Sequence, residues 1–360
     1  MNQSFKNTKV VYLGFNNMLK HKRGVENVID FQSKASVSAI NYYIHWDDTT
    51  SVYKYKGLLC IGIKSNFLKF FVFNWLMIRI KRREKSIFIH SHNTLMSMFG
   101  ILQTHLFTVH DALYYQHKAI KHTLKNIFYV LELYLYMRVN DVHFISKYSK
   151  KMSLFSGNEN FVIIPNTSHL ESAKMMGNSK KNLSLKPEFK PGAIKIFTVR
   201  SMEERARIDL LIELAQQLKH TDFEFFIAGK GPLYDFYKNQ IESLSLKNIR
   251  LLGYVSDADL MEYYSKCDIV LIPAAYAEGF GLPIIEGYLF NKPVIASNRC
   301  AIPEVIISKE FLFENTVDSI IEKLNFAKLK LNGPYRAFYD NTFSNAHILS
   351  QLNAFYKNRM

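Results

Sequence analysis

Cysteine is scarce: there are three in 360 residues (Cys60, Cys267 and Cys300), odd in number and widely spaced. This excludes a disulfide scaffold and fits a reducing cytosol. No Cys/His spacing matches a zinc site. Long apolar runs are missing too. No stretch reaches the roughly 18 apolar residues of a spanning helix, and the best run, Phe70 to Ile80, is broken by Asn74 and Arg79. The first ten residues are polar and lack the apolar segment of a signal peptide. Short-period repeats and low-complexity tracts are absent. No Ser/His/Asp or Cys/His set appears, so acyl-type nucleophilic catalysis has no support.

What is present is apolar material, 48% hydrophobic and 14% aromatic, enough for a sizeable core. The length suggests about two domains, and a cytoplasmic protein is expected. Charge is uneven. Residues 1–190 hold 27 Lys/Arg against 11 Asp/Glu, a net +16, whereas residues 191–360 hold 19 against 20. A field of that sign attracts an anionic partner: a nucleic acid, an acidic leaflet or a phosphate-bearing substrate.

Lys9 to Gly14 reads as a buried first strand. A loop then runs to Gly24, followed by a helical pattern at Val25, Val28 and Ile29. Strands are expected at Gly57–Ile63, Ser86–His90 and Leu106–His110, with His92 and His110 at or past strand ends. FVIIP (161–165) leads into a polar stretch that reads as the domain connection, after which strands and helices alternate again from Ile194 onward. Two Rossmann-like, doubly wound parallel α/β domains follow from this pattern. The expected division is residues 1–167, a linker at 168–192, and residues 193–341. A last helix, about 342–360, packs back on the first domain.

The densest signal is AYAEGFGLPIIEGYLFNKPVIAS, 275–297. Pro283 suits the first turn of a helix, since its missing N–H would be unpaired there. Gly279, Phe280, Gly281 and Leu282 then form a tight loop into a helix N-terminus, a site for a diphosphate. Glu278 lies on that loop, where it can accept from sugar hydroxyls. Glu286 is expected in the first turn, where it either holds ribose hydroxyls or merely complements the helix dipole.

With its neighbours this segment resembles the family 4 glycosyltransferases, which have the GT-B fold. EGFGLPIIEG matches their E-x7-E signature; IRLLGYVSDADLMEYYSKCDIVLIPA, KPVIAS and IPEVI match the flanking order; FIAGKGPL matches their Gly-x-Gly-Pro turn. RGVENVI, FIHSHN, FTVHDALYY and IIPN match more sparsely in the first half. The resemblance implies a retaining, metal-independent transferase using a nucleotide-diphosphate sugar, with no cofactor. Its acceptor would be a glycan or lipid-linked saccharide of a surface polysaccharide or glycolipid. By the same resemblance Glu278 holds the donor sugar, Glu286 the ribose, and Gly229 belongs to the Gly-x-Gly-Pro turn. Gly24 admits the diphosphate and His110 sits beside the transferred sugar.

One position departs from the family. An Arg, and a Lys a few residues later, usually neutralise the leaving diphosphate. Here those positions fall on Ser201 and Ala206, with Arg200, Arg205 and Arg207 adjacent. The chemistry needs cations there, so Arg205 and Arg200 are the first candidates and Arg207 the third. The alternative is that they pair with Glu203 and Glu204 on the surface.

Asp257-Ala258-Asp259 has the form of a metal-binding D-x-D, but Ser256 as N-cap with acids in the first turn accounts for it. Asp47-Asp48 reads as a loop. KFFVFNWLMIRIKRREK, 69–85, is either a segment entering the boundary of an anionic membrane or a core helix with a basic end. The charge of the first half favours the membrane, giving a peripheral protein at the inner face. Competing readings are a nucleotide-sugar epimerase, a phosphorylase, for which no lysine motif is visible, and a basic nucleic-acid-binding protein. No nucleic-acid motif is present, so none is expected as a partner.

Overall fold

A computed structural model of the protein describes residues 8–20, 24–35, 41–110, 122–154, 160–175 and 189–359. Asp111, which could orient His110 or cap the next helix, and most of the expected connection lie outside these residues. The chain divides into two units, Met1–Asn166 with Ile348–Met360, and Thr167–His347.

The first unit holds an eight-stranded sheet. Its strands are β1 (Thr8–Leu13), β2 (Asn41–Asp47), β3 (Ser51–Tyr55), β4 (Leu58–Lys64), β5 (Ser86–Ser91), β6 (Thr104–Val109), β7 (Val139–Phe144) and β8 (Phe161–Ile163). The spatial order is β3-β4-β2-β1-β5-β6-β7-β8. β1, β2, β5 and β6 are buried along most of their length, as expected of strands covered on both faces.

One strand departs from the all-parallel expectation. β3 runs antiparallel to β4, with Tyr55 opposite Leu58. Only Lys56 and Gly57 separate them, and Lys56 has φ of 50°. A two-residue link can join only antiparallel strands. Asp47 is not in a loop either. It ends β2, is buried, and accepts from Asn17 Nδ2 at 2.8 Å and Ser51 Oγ at 2.9 Å. Burial pushes its carboxyl up, but those hydrogen bonds outweigh it and leave the group at about 2.

The last helix, Asn345–Arg359, carries Ile348, Leu352 and Tyr356 at helical spacing. These three are buried with Val10, Tyr12, Tyr43 and Phe88 in one core cluster. The C-terminal segment is therefore part of the first unit's core.

The second unit has six parallel strands: β9 (Ile194–Val199), β10 (Phe223–Ala228), β11 (Ile249–Gly253), β12 (Ile269–Ile272), β13 (Val294–Ser297) and β14 (Leu312–Phe313). They lie in the order β11-β10-β9-β12-β13-β14. Strands and helices alternate along this unit, as expected from Ile194 onward. The strand order reverses between β9 and β12, and in the first unit between β1 and β5. Ligands of such sheets bind outside the carboxyl ends of strands at these points.

Residues 168–175 belong to this unit and not to a linker. The helix His169–Met175 lies there, and Tyr339 donates to Glu171 at 2.9 Å.

Candidate functional site

In the second unit the expected residues gather beyond the ends of β9 and β12. Arg200 follows β9 and its guanidinium bonds the carboxylate of Glu278, on the loop after β12. The two side chains are only 7% and 12% exposed. Arg200 Nε is buried with no acceptor. A buried cation with an unused N–H beside a carboxylate is an arrangement that an anionic, hydroxyl-bearing ligand can complete.

The other two arginines differ. Arg205 Nε donates to Glu203 at 2.8 Å and Nη1 to the Ala277 carbonyl at 3.2 Å. That hydrogen bond from Arg205 holds the Glu203 carboxyl below its ordinary range. Arg205 therefore takes the surface-pair alternative with one acid, yet also reaches the loop carrying Glu278. Arg207 pairs with Asp209 at 2.9 Å. Ser201 Oγ donates to Glu203, and Ala206 is buried, so no cation could occupy that position without losing its solvation. Lys230 is exposed on the loop after β10. Its carbonyl accepts from the Met202 N–H at 3.1 Å.

Gly229 belongs to the same place. Its φ is 135°, and a Cβ there would lie 1.9 Å from the Arg200 carbonyl oxygen. Gly229→Ala is therefore expected to cost about 3 kcal/mol or more in urea denaturation. Gly24 is the contrast, with nothing within 4 Å of an added Cβ. Gly24→Ala should leave stability within about 0.5 kcal/mol of the parent.

The helix after the Gly-Phe-Gly turn spans Leu282–Leu289. Gly281 is its N-cap at φ 97°, in the left-handed region where glycine is favoured. Gly279 opens the turn. Phe280 is buried, its ring 6.0 Å from that of Phe343, so only its backbone faces the loop. Glu286 is the fifth helical residue, in the second turn and not the first. It points inward, 5% exposed. Tyr264 donates to it at 2.9 Å and Ser168 at 3.3 Å. Burial raises its pKa, with the His169 charge and these two hydroxyls opposing. Ser168 lies outside the matched segments and Tyr264 is one letter within a long one, so neither could be paired with Glu286 from the sequence. Ser256 caps the helix Asp257–Lys266, accepting from the Asp259 N–H, and Asp257 pairs with His169 at 3.1 Å.

In the first unit, β5 and β6 carry histidines on adjacent ends. His92 Nδ1 lies 2.8 Å from His110 Nε2. His92 is buried and its Nε2 has no partner. Both rings line a cavity of about 400 Å³ with Phe15, Val25, Met98 and Tyr136. Burial depresses His110 to about 3, and holds His92 well below the ordinary imidazole range. Both are neutral at physiological pH.

Behind them a chain of hydrogen bonds sets the tautomers. The Ile164 carbonyl can only accept, so His143 Nε2 donates to it at 2.8 Å. Neutral His143 must then accept at Nδ1 from Thr108 Oγ1, 3.0 Å away. Thr108 in turn accepts from His90 Nε2 at 2.7 Å, and His90 Nδ1 accepts from Tyr356 at 2.6 Å. The C-terminal helix thereby orients the histidines of β5 to β7.

Residues 179–341 match the family model described as glycosyl transferases group 1. The chain is 42% identical over 73 residues to an O-antigen chain mannosyltransferase B of Escherichia coli, covering 20% of this chain and 19% of that one. The first curated relatives are matched over only 19% to 30% of their length. A sucrose-phosphate synthase of Thermosynechococcus elongatus superposes with a TM-score of 0.76 at 15% identity, covering 98% of each chain. HepE of Anabaena, solved with UDP and glucose, gives a TM-score of 0.71 at 15% identity, over 97% of this chain and 99% of that one. The fold is GT-B.

Proposed function

From a chain with the GT-B fold, whose second unit is similar to the glycosyl transferases of group 1, we propose a retaining, metal-independent glycosyltransferase. Its donor is a nucleotide-diphosphate sugar. Its acceptor is a glycan or lipid-linked saccharide in surface polysaccharide or glycolipid synthesis. The observation that carries this reading is the buried Arg200–Glu278 pair with its unused Arg200 Nε. A bare carboxylate would repel a diphosphate. Neutralised by Arg200, Glu278 can accept from sugar hydroxyls while the guanidinium turns its free N–H to phosphate oxygen. HepE, solved with UDP, supports the class of donor.

The reaction in this reading is front-face transfer. The acceptor oxygen bonds to the anomeric carbon as the bond from that carbon to the diphosphate oxygen breaks. The acceptor proton passes to the departing phosphate. Arg200, Arg205 and the N-terminus of the helix Leu282–Leu289 stabilise the charge that develops there, normally a large contribution. Neutral His110 contacts the transferred sugar as a hydrogen-bonding group. Glu286 holds the ribose.

The test is thermal unfolding with UDP, GDP, ADP, CDP and TDP in turn. One of them, at about 100 times its dissociation constant, should add about 2.7 kcal/mol. Glu286→Ala and Arg200→Met should both abolish the gain. Stabilisation by none of them, or equal stabilisation of both variants, would reject the donor site. Turnover of the sugar nucleotide to an isomer with no acceptor present would mark an epimerase instead.

A further inference from the structure

The helix Lys69–Arg83 buries Phe73, Met77 and Ile80 at helical spacing. A second stripe runs along its opposite side. Phe67, just before the helix, is 91% exposed, Phe71 73% and Trp75 53%. Each is four residues from the last, so they form one line. Arg79 and Arg82 continue it, both exposed.

The apolar half of the stripe is extended by its neighbours. Asn74 Nδ2 donates to the Phe99 carbonyl at 3.1 Å, and the Phe70 and Phe99 rings are 5.1 Å apart. Phe99 and Ile101 are themselves at least half exposed. Arg138 donates to the Gly100 carbonyl at 2.6 Å. It follows the helix His122–Met137, whose exposed Val130 and Met137 are apolar. Scattered apolar residues on a surface are ordinary, whereas a contiguous patch marks an interface.

Charge identifies the occupant. The segment 69–85 has six Lys/Arg and one carboxylate, Glu84, which accepts from Tyr42. Lys81 and Arg82 have no ion-pair partner among the described residues. The Arg79 guanidinium lies 5.2 Å from the Trp75 ring, so cation and aromatic meet at the border between the two halves. Rings that can enter an acyl boundary, beside cations that can meet headgroups, form an interfacial surface. No helix among the described residues is long and apolar enough to cross a membrane.

We propose that this face of the first unit docks on an anionic lipid surface, with Phe67, Phe71 and Trp75 inserted and Arg79, Lys81 and Arg82 on the headgroups. The proposal does not rest on sugar transfer, so its failure leaves that reading intact.

The experiment is sedimentation of the full chain with phosphatidylcholine vesicles, with and without phosphatidylglycerol. Trp75 fluorescence is read in a Trp46→Phe background, since the chain has two tryptophans. Anionic vesicles should pellet the protein and shift Trp75 emission to the blue, and added salt should weaken the binding. Lys81→Gln with Arg82→Gln should lower affinity for anionic vesicles about thirtyfold, at about fivefold per charge. Phe71→Ser should lower it by about tenfold or more. Phe71 is mostly exposed, so an unchanged melting curve is the control for folding.

Binding untouched by Phe71→Ser, or salt-sensitive binding without a Trp75 shift, would overturn insertion. No vesicle binding, with self-association that Phe71→Ser abolishes, would show a second copy of the chain as the occupant. Binding to neither vesicles nor itself would overturn the docking surface.

Discussion

Lowering the pH from 7.5 to 5.5 should destabilise the first unit by about 5 kcal/mol or more, with the second unit much less affected. His90, His92, His110 and His143 are neutral, their pKa values lowered mainly by burial, His110 to about 3 and His143 to about 4, and burial lowers His45 and His105 in the same direction. In the unfolded chain each has an ordinary value of about 6.5. Their folded values are depressed, so the neutral forms favour folding above about pH 6.5. That stability is lost as pH falls, because the unfolded state takes up protons the native state refuses. Each histidine contributes about 1.4 kcal/mol over this interval, and the loss continues until the folded groups titrate. Urea denaturation at the two pH values, followed by amide exchange in β5 to β7, measures it. His143→Gln should reduce the pH dependence by up to about a quarter, since one of at least four protons is removed from the balance. A pH-independent midpoint for the first unit would contradict neutral burial. The arrangement also accounts for the choice of tyrosine at Tyr356: its hydroxyl supplies the proton that neutral His90 accepts.

The second large effect concerns Arg200 and Glu278. Arg200→Met should destabilise the second unit by about 3 kcal/mol, because it leaves a nearly buried carboxylate unpaired. Glu278→Gln should cost less, since the amide oxygen still accepts from the guanidinium. The double variant should recover part of the loss, because the packing survives once neither charge is present. Activity should behave differently. Sugar transfer should fall by about 10²-fold to 10³-fold in all three, as expected when a charge-stabilising group is removed. Stability that recovers while turnover does not would separate the structural role of the pair from its chemical one. Loss of less than about 1 kcal/mol in Arg200→Met would mean the pair behaves as an exposed one. The exposures of 7% and 12% argue against that.

Much of this was legible before folding, and the reasons are local. Most strands of the second unit are short apolar runs with a Gly or Pro at or near one end, and those signals depend only on neighbours in sequence. Ser256 as a cap and the Gly281-Leu282-Pro283 helix start are legible for the same reason. β2, β3 and β7 were not, because NYYIHWD, SVYKY and VNDVHF mix polar groups into strands whose polar members are paired only after assembly.

The sequence alone determined the alternation of strands and helices, hence two doubly wound sheets, the spacing of Glu278 and Glu286, and the basic excess of the first half. Only the tertiary structure decided which arginine meets Glu278, since Arg200, Arg205 and Arg207 are alike as letters and differ in what lies across the strand ends. It also chose Tyr264 and Ser168 as partners of Glu286, fixed the tautomers of His90 and His143, and left Phe71 and Trp75 outside the core. Each of these depends on contacts between residues distant in the chain, where burial makes an unpaired charge or polar group costly enough to select one partner.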